Sequence, residues 1–271
     1  MRNIPMTQAP VQETLIEIAT TRLQIRVIGP LQPEKPVWVF LHEGLGSITQ
    51  WRDFPEALCA ATGYSALLYD RPGYGRSSPL PQPWPDDFLI QQAHLLPRLL
   101  DRLGVKKPLL FGHSDGGTIA LMVSALYPSL PLATVTEAAH VLIEPVTKQG
   151  LRALKDKTNS EPDFAARLLR HHPQHDISFI RNWVETWLRP SLADWTMLEM
   201  LGRITCPLLA VQGALDEHGS GDQITKIITG VKGPAQSVII PACGHVPHLE
   251  ARQSVLDSVT DFLETLRLSQ P

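Results

Sequence analysis

Cysteine, charge and long apolar runs are all scarce in this chain. Three cysteines, Cys59, Cys206 and Cys243, are scattered over 271 residues. Odd in number and far apart, they match neither a disulfide framework nor a zinc-ligand spacing, which points to a reducing, cytoplasmic setting. Only 19% of residues are charged, and 24 Lys and Arg against 27 Asp and Glu leave a formal net charge of −3. A general nucleic-acid or membrane-surface binder carries a basic excess or stripe, so neither partner is expected. No uncharged apolar stretch is long enough to span a bilayer. The opening residues, MRNIPMTQAPVQET, lack the apolar middle of a secretory signal. Repeats, low-complexity tracts and charge blocks are missing too. Hydrophobic residues, at 43%, suffice for a core and exclude a disordered chain. A soluble globular protein near the upper size for one core is what remains.

Short runs rich in Val, Ile and Leu alternate with longer amphipathic segments. Thr14–Ala19 and Leu23–Ile28 read as two strands joined by a turn at Thr20–Arg22. Val37–Leu41, Ala66–Tyr69, Leu109–Phe111, Ala133–Thr136, Leu208–Val211 and Ser237–Ile240 follow, short and apolar as strands buried on both faces should be. Helices are expected over Pro85–Leu103, Gly117–Tyr127, Ser220–Ile228 and Leu249–Leu268. Strand–helix alternation after an initial hairpin predicts an α/β fold: a mostly parallel central sheet with helices on both faces. From 145 to 202 the alternation stops, and helical pieces carry three tryptophans, Trp183, Trp187 and Trp195. We read 145–202 as a helical cap insertion and 1–144 with 203–271 as the core.

Gly112-His113-Ser114-Asp115-Gly116-Gly117 lies between a predicted strand and a predicted helix. A serine on so tight a turn needs neighbours without side chains, and the turn aims its hydroxyl near the helix amino end, where free N–H groups can hold an oxyanion. Such a serine needs a base, and the base an orienting carboxylate. His245 and Asp216 each follow a predicted strand, in the chain order Ser114, Asp216, His245. Glu137 is a rival acid, Glu217 a weaker one, and His248, expected to open the last helix, the competing base. The loop after Leu41, with Gly44 and Gly46, is expected to supply the second oxyanion donor, Gly44 N–H beside Asp115 N–H; a packing turn with a buried His42 is the alternative.

These motifs resemble the α/β-hydrolase superfamily over nearly the whole chain. Leu41-His-Glu-Gly-Leu-Gly-Ser47 with Trp51-Arg-Asp-Phe-Pro55 is similar to the loop and first helix of a bacterial carboxylesterase-like subgroup. Tyr69-Asp-Arg-Pro-Gly-Tyr-Gly-Arg-Ser77 resembles the superfamily's turn after the fourth strand, Gly112–Gly116 its nucleophile elbow, and Gly244-His-Val-Pro-His-Leu-Glu250 its histidine loop. The resemblance implies a carboxylesterase or acyl hydrolase that needs no metal or cofactor. One position departs from it: Glu43 stands where the superfamily usually has glycine, and a carboxylate there opposes an oxyanion unless it turns away.

The reading is a serine hydrolase acting on a small-molecule ester with a small or medium acyl group. Glu43, His113, Glu137, His140, Trp183 and Trp187 are candidate pocket residues. Amide or peptide cleavage, with Glu43, Glu137 or Glu144 recognising an amine, is an alternative, as is carbon–carbon cleavage in a vinylogous diketone. A non-catalytic small-ligand module on the same fold is a third. His171-His172-Pro-Gln-His175 invites a metal reading but has no carboxylate or cysteine partner, so a solvated helix end is expected there. Arg71–Arg76 is read as a structural turn. Nothing in the sequence fixes the oligomeric state.

Overall fold

The computed structural model describes residues 10–266. The first nine residues of the secretory-signal reading, and the end of the expected helix at Leu268, lie outside them. One eight-stranded sheet runs through the molecule in the order β1-β2-β4-β3-β5-β6-β7-β8. Strands β1 (Val11–Ile18) and β2 (Thr21–Ile28) form an antiparallel hairpin. Its turn is Ala19-Thr20, one residue earlier than expected, with Ala19 at a φ of 54°. Strand β2 also pairs antiparallel with β4. From there onward β4 (Ser65–Tyr69), β3 (Val37–Leu41), β5 (Pro108–His113), β6 (Ala133–Glu137), β7 (Leu208–Gly213) and β8 (Ala235–Ile240) pair in parallel.

Alternation along each strand feeds two cores. In β3, Val37, Val39 and Leu41 face one side while Trp38 and Phe40 face the other, all fully or almost fully buried. On the Trp38 side the sheet is covered by α1 (Phe54–Thr62) and the C-terminal helix; on the Val39 side by α2 (Phe88–Leu103) and α3 (Asp115–Leu126). Each large side chain so enclosed contributes on the order of 2–3 kcal/mol. Helix α2 begins at Phe88 rather than at Pro85, because the Pro85 carbonyl accepts the Phe88 N–H and closes a turn first.

Between β6 and β7 the described chain holds helices and no named strand. These are α4 (Pro145–Ser160), α5 (Pro162–Leu169), α6 (Ile177–Trp187) and the short α7 (Leu198–Leu201). Helix α8 (Gly221–Gly230) follows β7. The last expected helix is split in two, α9 (Pro247–Glu250) and α10 (Arg252–Thr265), where Ala251 takes φ −136° and ψ 43°. No helix among the described residues is long and apolar enough to cross a membrane.

Strand order reverses at β3. Its sequence successor β4 lies on one side and β5 on the other, so the loops leaving the carboxyl ends of β3 and β5 part in opposite directions. In open α/β sheets that divergence opens a crevice at the strand ends, and both glycine-rich motifs stand on it.

Candidate active site

From Pro108 to Ala125 every residue is buried except Ser114. The strand-to-helix turn forces Ser114 to φ 52°, ψ −119°, a costly conformation for a residue with a β-carbon. The surroundings hold it there. A β-carbon on Gly112 would overlap the Gly116 carbonyl, and one on Gly116 would overlap the Leu41 carbonyl, so glycine is required at both. Ser114 N–H donates to the Glu137 carbonyl at 2.8 Å. The Ser114 hydroxyl faces His245 Nε2 at 3.1 Å, and His245 Nδ1–H donates to Asp216 Oδ1 at 2.8 Å.

A carboxylate only accepts, so this pairing puts the imidazole proton on Nδ1 and leaves the Nε2 lone pair toward the hydroxyl. Asp216 Oδ1 also accepts the His218 N–H at 2.8 Å and the Gly219 N–H at 3.3 Å, while Oδ2 accepts Gln212 Nε2–H at 3.3 Å. Burial works to raise the Asp216 carboxyl, but the His245 imidazole and the His218 N–H outweigh it and hold the group below the usual carboxylate range.

Behind the loop after β3 lies a lock of polar groups. The Glu43 carbonyl accepts three donors: His42 Nδ1–H at 2.8 Å, Arg71 Nη2–H at 2.8 Å and Gly46 N–H at 3.0 Å. His42 Nε2 accepts the Arg71 backbone N–H at 3.0 Å, and Arg71 Nη1–H donates to Gln92 Oε1 at 2.5 Å. Both His42 and Arg71 are fully buried. Because a trans peptide points its C=O and the following N–H in opposite directions, pinning the Glu43 carbonyl inward turns the Gly44 N–H toward the cavity. That N–H, like the Asp115 N–H at the start of α3, has no intrachain acceptor among the described residues. Gly44 itself must lack a side chain: a β-carbon there would collide with the Trp183 ring and come within 2.8 Å of Asp115 Oδ2.

These groups border a cavity of about 130 Å³, lined by Ser114, His245, Gly44 and Asp115, by the apolar side chains of Ile143, Leu151, Leu154 and Trp187, and by Glu43, His140, Trp183 and His218. Trp183 Nε1–H donates to Asp115 Oδ2 at 3.2 Å. Among the described residues Asp115 Oδ1 accepts no hydrogen bond; His140 Nε2 lies 3.8 Å from it, and burial lowers the His140 pKa. Arg71 Nη2 approaches Asp115 Oδ2 to 4.0 Å.

Two of the expected pocket residues stand behind the wall rather than on it. Glu137 is fully buried and accepts His248 Nδ1–H at 2.5 Å, so this acid serves His248 and not His245. His113, 1% exposed, donates Nε2–H to the His245 carbonyl at 2.8 Å, and its Nδ1 lies 3.5 Å from Glu43 Oε2. The ligand atoms of His113, Glu137 and His248 lie within 4.8 Å of one another, the one metal-capable group found among the described residues. His113 Nε2, His248 Nδ1 and one Glu137 oxygen are already engaged in hydrogen bonds, and His113 Nδ1 lies at ion-pair distance from Glu43. Glu144 faces α8, accepting from Ser220 and Gln223.

The histidine run corrects the sequence reading. His172 is fully buried, not solvated: its Nε2–H donates to the Leu45 carbonyl at 2.8 Å and its Nδ1 accepts the Gly75 N–H at 2.9 Å. Burial brings its pKa down to about 4. It ties the segment between α5 and α6 to the loop after β3. Sequence reading also passed over His218, whose ring centroid is 4.6 Å from that of His245; its one signal was its place two residues after Asp216. Arg71, expected as part of a turn, is fully buried in the lock behind the loop after β3, and an arginine between Asp70 and Pro72 is the one local signal of such a role.

A family model described as the alpha/beta hydrolase family matches residues 38–257. Among curated proteins, a 2-hydroxy-6-oxo-6-phenylhexa-2,4-dienoate hydrolase of Comamonas testosteroni is 22% identical, over 83% of this chain and 86% of that one. A proline iminopeptidase of Lactobacillus helveticus is 23% identical, over 88% and 93%. Among solved structures, VinJ superposes with a TM-score of 0.70 at 23% identity, over 94% of this chain and 99% of that one, a likeness of fold. With most of its length matched, the chain belongs to the alpha/beta hydrolase family.

Proposed function

We propose that the chain is a serine hydrolase cleaving carboxylic esters of small or medium acyl groups. The observation that carries this reading is the line Ser114 Oγ–His245 Nε2–Asp216 Oδ1, with spacings of 3.1 and 2.8 Å, opening onto a small apolar cavity beside two free backbone N–H groups. Ser114 attacks the ester carbonyl while His245 takes its proton, and Asp216 keeps the imidazole oriented and stabilises its charged form. The Gly44 and Asp115 amides hold the oxyanion. Collapse expels the alcohol with the proton from His245. Water, activated by the same imidazole, then releases the acid from the acyl-enzyme. Every step falls to a side chain or backbone group of this chain. A cavity below the usual 300–1,000 Å³ of drug-sized sites suits a short acyl group. Residues 145–202 act as a cap, with Leu151, Leu154, Trp183 and Trp187 forming the acyl wall.

A second reading, cleavage of an aminoacyl ester or amide, is favoured by the Asp115 carboxylate on the cavity wall. Its Oδ1 lacks a hydrogen-bond donor, since His140 is 3.8 Å away. It adjoins the serine, where an ammonium group next to the scissile carbonyl would fall, and one of the similar proteins is named a proline iminopeptidase.

Turnover of p-nitrophenyl esters from acetate to decanoate, beside amino acid p-nitroanilides, separates the readings. Ester turnover that falls with chain length and vanishes in Ser114→Ala is expected. Anilide turnover that depends on a free amino group and is lost in Asp115→Asn favours the second. Without either, vinylogous diketones are the next substrates to try.

A further inference from the structure

Glu43 poses a problem that the fold has to solve: a carboxylate on the residue next to an oxyanion donor. The side chain turns back over Gly46, where a β-carbon would come within 2.5 Å of its carboxyl group, and meets the ring of His113. His113 Nε2 faces a carbonyl, that of His245, and must carry a proton to bond it. Its Nδ1 has no hydrogen-bond partner and lies at ion-pair distance, 3.5 Å, from Glu43 Oε2; facing an ionised carboxylate, it is stabilised by carrying a proton as well. With Glu43 ionised, both contacts are met by one species, the imidazolium. We propose that His113 is a positioning residue, a buried cation that cancels the Glu43 charge beside the oxyanion site and ties the loop after β3 to the backbone of His245. This rests on the serine-hydrolase reading above.

The groups around His113 agree. Glu43 comes from the loop after β3, Glu137 from β6, His248 from α9, and His245 and His218 from the loops after β8 and β7. Burial disfavours the charged ring, yet Glu43 and Glu137 outweigh it and raise the His113 pKa to about 9. Burial likewise opposes the Glu43 charge, and His113 outweighs it, bringing that carboxyl to about 2. Deprotonation must remove the Nδ1 proton, because Nε2–H is held by the His245 carbonyl. The proton leaves to solvent. Glu43, with 21% of its side chain exposed at the cavity, is then an uncompensated anion facing the negative charge that develops during attack.

The test is the second-order rate of Ser114 labelling by a fluorophosphonate between pH 7 and 10.5. The wild-type rate should fall about tenfold through an inflection near 9, and the fall should be missing in Glu43→Gln. His113→Asn should be slow already at pH 7 and be partly rescued by adding Glu43→Gln, which a purely structural loss would not allow. An alkaline fall that is absent from the wild type or equal in Glu43→Gln overturns the proposal, as does a double variant no faster than His113→Asn. Should His113→Asn fail to fold, the wild type against Glu43→Gln still decides. Failure of the wild type to label at Ser114 at pH 7 sinks the hydrolase reading itself; labelling with a profile indifferent to Glu43 sinks only the role of His113.

Discussion

The segment Pro108–Ala125 and helix α4 both border the same cavity, yet they are built in opposite ways. In the first, seventeen of eighteen residues are buried and Ser114 alone is partly open. In α4, sixteen residues long, only Leu151 and Thr158 are buried. A reacting hydroxyl must be held to within fractions of an ångström, and close packing on every side supplies that precision. An acyl wall needs only to be apolar and of the right size. On the proposed function, the elbow is the part that tolerates least change, and α4 the part through which substrate preference would vary.

The contrast can be broken first at the elbow. Ser114→Ala should lower kcat by about 10⁴-fold or more, while unfolding free energy changes by less than about 1 kcal/mol, since alanine keeps the same β-carbon at φ 52°. Activity and urea titration on one preparation check both halves.

Next come paired glycine substitutions. A methyl at Gly116 meets the Leu41 carbonyl, part of the frame, so Gly116→Ala should cost about 3 kcal/mol or more. In α4, a methyl at Gly150 meets the His218 ring, a side chain that can move, and comes no closer than 3.3 Å to the Glu217 carbonyl, so Gly150→Ala should cost under about 1 kcal/mol. Equal losses by denaturant titration would erase the distinction between the two regions.

The tie between the α5–α6 segment and the loop after β3 is pH-sensitive. His172 is neutral in the fold, its pKa lowered to about 4 from an unfolded value near 6.5, so its contribution is complete above pH 6.5 and is lost as pH falls toward 4. That loss is about 3 kcal/mol at its fullest, and His172→Asn should flatten this part of the stability profile. On the half-buried face of α4, Leu154→Ala should cost about 1–2 kcal/mol and move the ester optimum toward longer chains.

The same contrast explains how much could be read from sequence. Strands such as Val37–Leu41 and turns such as Gly112–Gly117 are local: apolar runs, glycines and the residues between them are contiguous, so the hydrolase fold and the chain order of Ser114, Asp216 and His245 were visible. The fold expected from those runs is the fold observed. Partnerships across the chain were not legible. His172 meets Gly75 and Leu45, 97 and 127 residues away, and nothing near it distinguishes it from His171 or His175. Glu137 stood where an acid could reach His245, and only the position of α9 gives it to His248. Glu43 was legible as an anomaly, but its resolution required the spatial neighbour His113.

The most direct measurement is peptide mapping of the protein after reaction with a fluorophosphonate at pH 7. A single adduct on Ser114, absent from Ser114→Ala and reduced at least about 100-fold in rate in His245→Ala, is the expected result. No adduct, or one on another residue with Ser114 unmodified, would contradict the assignment of Ser114 as an activated nucleophile and with it the serine-hydrolase reading.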